Sequence, residues 1–161
     1  LGGESREHEQ SSGTTLAIVR RSTQDAKVEA LKGVTLFEGL SKKELIEIAH
    51  VTEDMEIEAG SVLCKEGGLG REFFVIVDGI AEVTRGGKHL ATRGPGEFFG
   101  EIALLATTKR TATVTATTPL RCLILTSRDF ARVLDDNRGV ERKVMRALAE
   151  RLLTLVEDPT P

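Results

Sequence analysis

The chain is poor in cysteine and histidine and in side chains that stack. Of its 161 residues two are cysteine and three histidine, and tryptophan and tyrosine are absent. His8, His50 and His89 fall in an N-terminal lead-in, at the end of a candidate helix and on a candidate hairpin. No convergent set of His and acidic ligands is readable, which disfavours a cupin-like metalloprotein, the main enzymatic alternative for a small β-barrel. No nucleophile, base and orienting group stand in a recognisable arrangement either, so no catalytic residue is assigned and no enzyme is expected. Cys64 and Cys122 sit in candidate strands without metal-ligand spacing. They read as buried free thiols of a reducing compartment, with a disulfide as the alternative.

Long apolar runs are missing as well: none approaches the roughly 20 residues of a membrane span, and no charged-then-apolar start suggests a signal peptide. The formal net charge is −3, so no global basic field exists to hold nucleic acid or an anionic membrane, and any anion has to be caught locally. With 40 % hydrophobic residues the chain can bury one ordinary core, and a single cytoplasmic domain is expected. The chain opens on Leu1 rather than methionine, which suggests a fragment or processed form of something longer.

What is present changes period along the chain. Residues 1–21 mix Gly, Ser, Thr and charge without a sustained period and read as a flexible lead-in or expression scar. "STQDAKVEALKGV" opens on a capping residue at Ser22 or Thr23, carries Val28 and Leu31 on one face, and stops at Gly33. In "LSKKELIEIAH", Ser41 and Glu44 form a capping box, with Leu40 and Leu45 at the positions of a hydrophobic staple, so a second helix starts at Ser41. Residues 52–126 turn to strand period, cornered by Ala59-Gly60, Gly79, Gly86-Gly87 and Gly94-Pro95-Gly96. "FFVIV", Phe73–Val77, is continuously apolar, which suits a strand buried on both faces. About eight short strands so closely spaced predict a small sandwich or barrel rather than a βαβ fold. Helical period returns in "SRDFARVLDD" and again from Asn137, where Val140, Val144, Leu148 and Leu152 recur every fourth residue. That last helix covers a core, acts as a moving lid or forms a dimer seam.

The chemistry concentrates in "FFGEIALLATTKRTATVTA", residues 98–116. Gly96 and Gly100 let the backbone approach a ligand closely. The free N–H groups at the start of the short helical turn that follows make a local anion site. Arg110 is suited to two-point hydrogen bonding of phosphate oxygens. Glu101 repels a phosphate but accepts from a hydroxyl, as acidic residues do with ribose elsewhere. The alternative is an ordinary Glu101–Arg110 ion pair on a loop, which contributes little. "GGLGRE" lacks the Gly-Lys-Ser/Thr of a Walker sequence, and "GPGEFFG" does not follow the strand-to-helix pattern of a dinucleotide fingerprint.

"FGEIALL" followed by "KRTATVTA" resembles the phosphate-binding cassette of cyclic nucleotide-binding domains, the family of the bacterial cyclic AMP receptor protein and of the regulatory modules of cyclic-nucleotide-dependent kinases and channels. The resemblance runs from about residue 36 to residue 156, with Gly79 and Gly96 where the family places turn glycines. It implies that Glu101 holds the ribose 2′-hydroxyl, that Arg110 holds the cyclic phosphate, and that Gly100, Ile102 and Ala103 lend backbone amides. Thr111 would reach the phosphate and the amino group of a syn guanine, which leaves cyclic AMP, favoured by prior, and cyclic GMP both open. Val62, Leu63 and Val83 line the base or are plain core. Lys109 stands where many members have proline, which leaves the loop backbone less fixed. No aromatic residue is available on the last helix to cover the base, so the lid is aliphatic or uses Arg142, Lys143 or Arg146, by cation–π contact.

The expected architecture is therefore mainly β with flanking helices (α+β). An eight-stranded β-roll over residues 52–126, with cassette 98–114 and its short helix, follows N-terminal helices (22–51). Two C-terminal helices (127–157) and a tail (158–161) close it. The expected partner is a cyclic nucleotide, without metal. An effector domain or partner protein of unknown identity and a homodimer through the last helix are the further partners considered. These 161 residues contain no basic reading helix, so direct nucleic-acid binding is not expected. A degenerate, ligand-free interaction scaffold of the same fold is the remaining alternative.

Overall fold

The computed structural model describes residues 6–9, 15–19, 23–101 and 108–157. Ten strands are present in it: β1 (Arg6–Glu9), β2 (Thr15–Val19), β3 (Glu53–Ile57), β4 (Val62–Cys64), β5 (Glu72–Asp78), β6 (Ala81–Arg85), β7 (Lys88–Arg93), β8 (Phe98–Phe99), β9 (Thr113–Ala116) and β10 (Leu120–Thr126). They form two sheets, in the orders β1-β2-β3-β10-β5-β8 and β4-β9-β6-β7, with antiparallel pairing throughout. The eight strands from β3 to β10 are the expected roll. Helices α1 (Gln24–Lys32) and α2 (Lys42–Val51) precede it, with a single 3-10 turn at Thr35–Phe37 between them, and α3 (Ser127–Asp136) and α4 (Arg138–Glu157) follow.

Local chemistry sets the helix starts. Thr23 rather than Ser22 caps α1, its hydroxyl accepting from Ala26 N at 3.1 Å. At α2 the Ser41 hydroxyl accepts from Glu44 N (3.1 Å) and the Glu44 carboxylate accepts from Ser41 N (2.9 Å), which satisfies two N–H groups the helix cannot pair internally. The backbone and hydroxyl of Ser41 hold the Glu44 carboxyl below its ordinary value.

Central strands β5 and β10 explain why "FFVIV" has no polar positions. Their side chains alternate between two cores, as the pleat requires. Phe73, Val75, Leu123 and Leu125 join the helices in one core. Phe74, Ile76, Cys122 and Ile124 fill the space between the sheets. All six phenylalanines are buried. Phe73 stacks on Phe130 of α3 with centroids 4.2 Å apart, and Phe74 stacks on Phe99 at 4.8 Å. The turn at Gly60 carries the chain from one sheet to the other, since β3 pairs with β10 and β4 with β9.

Two expectations change. Residues 6–9 and 15–19, inside the stretch expected to be a flexible lead-in or expression scar, are strands, and β2 pairs with β3 through Ile18↔Glu56 and Val19↔Met55. "TLAIV" has the β-branched and apolar content of a strand, which its Gly- and Ser-rich surroundings conceal. The apolar row of the last helix also does not stay inside. Val140 and Val144 are buried, Leu148 packs partly, and Leu152 is 62 % exposed. A four-residue step overshoots a helical turn by about 40° each time, so the row winds off the core.

Candidate functional site

A cavity of about 750 Å³ opens between the four-stranded sheet, the Gly96–Glu101 segment and α4. Six basic side chains (Arg85, Arg93, Arg110, Lys143, Arg146, Arg151) and four acidic ones (Glu38, Glu97, Glu101, Glu150) line it among the described residues. A chain of net charge −3 thus gathers a local basic excess around one cavity, and low-dielectric walls strengthen such a field.

Arg110 is 6 % exposed. Its Nη1 donates to Gly100 O (3.1 Å) and its Nη2 to Glu72 O (2.9 Å), and its guanidinium carbon lies 5.9 Å from the centroid of Phe74. Both of these hydrogen-bond acceptors are neutral carbonyls, so among the described residues the charge has no carboxylate partner, and a guanidinium with five donors retains some for an anion. The backbone here is pinned on both sides. Arg110 N donates to Gly68 O (2.8 Å), Gly67 N donates to Arg110 O (2.9 Å), and Lys109 bridges Leu69. The absence of proline at position 109 is offset by this clamp. Gly100, at φ 96°, is what lets the clamp close: a Cβ there would stand 2.8 Å from Glu72 O and 3.0 Å from Arg110 Nη1.

Glu101 is helical and 1 % exposed. It does not pair with Arg110. Its Oε1 takes an ion pair from Arg151 Nη1, fifty residues on in α4, while Arg151 Nη2 donates to Phe98 O and the guanidinium lies 4.7 Å over the Phe98 ring. The ordinary loop ion pair considered from sequence is therefore not formed; acid and base are held separately, by different elements.

The other expected residues divide. Gly100, Thr111 and Val83 line the cavity, and Arg85 Nε donates to Thr111 O at 3.0 Å. Val83 stands opposite Val114 of β9, which neighbours Cys64 of β4, so these three strands present an apolar row to the cavity. Leu63 is buried between the sheets and Val62 is half-buried on β4; neither lines the cavity. The pairing slips register between Val62 and Cys64, which brings Cys64 to the wall instead. Burial pushes the Cys64 thiol up to about 12, against the opposing pull of Arg110, and Cys122 is likewise pushed up to about 12 by burial. Both are free and buried. Ile102 and Ala103 lie outside the described residues.

On α4, Lys143 and Arg146 line the cavity, and Arg142 faces a separate depression with Leu134, Arg138 and Met145. Lys143 Nζ donates to Thr35 O (3.1 Å) and Glu38 O (2.6 Å), which ties α4 to the turn before α2. Sequence reasoning missed Arg151 and Arg93. The signal for Arg151 was available: residues 143, 146, 147, 150 and 151 all line the cavity, the spacing of one helix face. Arg93 ends β7 with 18 % of its side chain exposed, and its Nη1 is 3.8 Å from Glu97 Oε2. Burial, followed by the like charge of Arg151, holds its guanidinium below the ordinary value.

An arginine clamped to the β-roll and an acid closed by the last helix thus share one cavity. The sequence profile described as "Cyclic nucleotide-binding domain" matches residues 54–137. The chain belongs to the cyclic nucleotide-binding domain family. It is 35 % identical over 118 residues to a cAMP-dependent protein kinase regulatory subunit of Schizosaccharomyces pombe, covering 73 % of this chain and 29 % of that protein. It is 32 % identical over 133 residues to a cyclic nucleotide-gated potassium channel of Rhizobium etli, covering 83 % of this chain and 37 % of the channel. The solved structure titled "cAMP bound PfPKA-R (141-441)" superposes with a TM-score of 0.78 at 25 % identity, over 86 % of this chain and 48 % of that one. The chain thus spans about a third of the length of its curated relatives. It is a non-catalytic regulatory module of the cyclic nucleotide-binding type. Among the described residues no group of three or more His, Cys, Asp or Glu is placed to hold a metal ion, and no helix is long and apolar enough to cross a membrane.

Proposed function

We propose that this domain senses a cyclic purine nucleotide in the cytoplasm, with cyclic AMP the favoured ligand and cyclic GMP the alternative, and passes the event on through α4. The observation that carries the reading is Arg110: a buried guanidinium, bonded among the described residues only to neutral carbonyls, at the wall of a cavity of about 750 Å³. A cyclic phosphate supplies the missing negative charge in two-point geometry. Glu101 accepts from the ribose 2′-hydroxyl, the backbone amides of Gly100, Ile102 and Ala103 add donors to the phosphate, and Thr111 stands beside it. The purine lies along Val83 and its apolar neighbours. Its choice is set by whether Thr111 or Arg85 meets a donor or an acceptor on the base edge.

The proposed coupling is a population shift, in which ligand favours the arrangement of α3 and α4 that binds it better. Met145, Leu152 and Leu153 of α4 are each more than half exposed, and they support the proposal that this helix carries the signal to an effector domain, a partner protein or a second copy.

A ligand-free scaffold is the second reading, and one observation favours it: the Glu101 carboxylate is already satisfied by Arg151. Calorimetric titration with cyclic AMP and, in parallel, cyclic GMP decides between them. Binding of either supports the sensor and identifies the purine. Binding of neither, on folded protein freed of copurified ligand, favours the scaffold.

A further inference from the structure

Glu101 is buried, and among the described residues its ion pair comes from Arg151 alone, on the helix that the proposed mechanism moves. Departure of α4 takes away the counter-ion of a carboxylate that is 1 % exposed with the helix in place, and a largely buried charge that has lost its partner is penalised. A two-state helix needs that penalty relieved, or its open arrangement is never populated.

A second cation is present in the same cavity. Arg93 lines the same cavity as Glu101 and Arg151. It is rooted on β7, which is fixed to β6 by pairing with Ala81 opposite Arg93, so it stays when α4 leaves. Its Nε is buried and has no hydrogen-bond partner among the described residues. Its contact with Glu97, at 3.8 Å, is an ion pair too long for a hydrogen bond. Buried donors are rarely left unpaired, and one that is calls for an explanation; the present position of Arg151, a like charge already on Glu101, is that explanation.

We propose that Arg93 is the alternate counter-ion of Glu101. When α4 withdraws and takes Arg151 with it, the Arg93 guanidinium turns onto the carboxylate and keeps it aimed at the ligand hydroxyl. Arg93 is then a positioning residue for the sugar end of the site, and the two arrangements of α4 differ by an exchange of arginines rather than by the loss of a buried ion pair. The inference rests on the sensor reading for its purpose, and its test needs no nucleotide.

Arg151→Met imitates departure of the helix cation. Urea unfolding of the parent, Arg93→Met, Arg151→Met and the double variant gives the coupling between the arginines. Each single variant keeps one counter-ion, so the double variant is expected to lose at least about tenfold more in folding equilibrium than the product of the singles. Additivity within about twofold overturns the proposal. Should the double variant not fold, the Arg93 Nε–H signal in Arg151→Met decides by NMR. Its exchange with solvent slows at least about tenfold relative to the parent if it bonds Glu101, and unchanged exchange overturns the idea. Coupled arginines in a chain that binds neither cyclic AMP nor cyclic GMP remove the sensor reading and leave the counter-ion exchange standing. Nucleotide binding with additive variants does the reverse.

Discussion

The two charged halves of the cavity are built differently. Arg110 belongs wholly to the roll: its backbone is clamped to Gly67 and Gly68, and its guanidinium rests on carbonyls of Glu72 and Gly100. Glu101 is closed by Arg151 from a 20-residue helix that Lys143 also ties to the carbonyls of Thr35 and Glu38. Burial alone does not distinguish the two residues, at 6 % and 1 % exposed. Their partners do. A charge resting on neutral dipoles is preorganised and still available, whereas a charge already neutralised by a movable partner gains less from a further hydroxyl. The arginine half is therefore expected to dominate affinity, and the glutamate half to report the position of the helix.

The largest test removes the preorganised charge. Arg110→Ala is expected to weaken cyclic nucleotide binding by about 10- to 150-fold, or about 1.5–3 kcal/mol for a charge-assisted contact. Unchanged affinity in calorimetry would reject the phosphate assignment and with it the asymmetry between the halves. Gly100→Ala breaks the same half through the backbone. The new Cβ meets Glu72 O at 2.8 Å in a conformation that side chains rarely adopt, so a stability loss of about 1–3 kcal/mol in urea unfolding is expected. A wild-type midpoint would mean that the Arg110 clamp tolerates displacement and is not the rigid half.

Short-range chemistry was legible in the sequence and long-range partnership was not. Ser41 and Glu44 lie three residues apart and form their capping box as read. "FFVIV" reads as a strand buried on both faces because it has no polar position, and it divides between two cores. Glu101 and Arg110 were conspicuous in a stretch of small residues, and an ion pair between them was the alternative to separate roles, whereas the partner of Glu101 is Arg151, fifty residues on. The helix face that carries Lys143 and Arg146 runs on to Arg151, so the period contained the answer and stopping at Arg146 missed it. Of the two readings open for Leu63, base wall or plain core, the structure shows a core position, and the slip in strand pairing beside it is something sequence does not display. Arg93 reads in sequence as a charged strand end; only the tertiary fold buries its Nε.

The smallest expected effect sharpens the comparison most. Glu101→Gln keeps shape and one acceptor oxygen, so Arg151 retains a hydrogen bond while the charge is lost. Affinity for the ribose ligand is expected to fall less than about tenfold, below the loss from Arg110→Ala, because a single hydroxyl contact contributes about 0.5–1.5 kcal/mol. The diagnostic quantity is the ratio of affinities for the ribose and 2′-deoxyribose forms of the same cyclic nucleotide. If Glu101 reads the hydroxyl, that ratio contracts toward one in Glu101→Gln and stays at its parent value in Arg110→Ala, which weakens both ligands alike. A ratio that survives Glu101→Gln assigns Glu101 to the helix contact alone, and the sugar is then read by another group in the cavity.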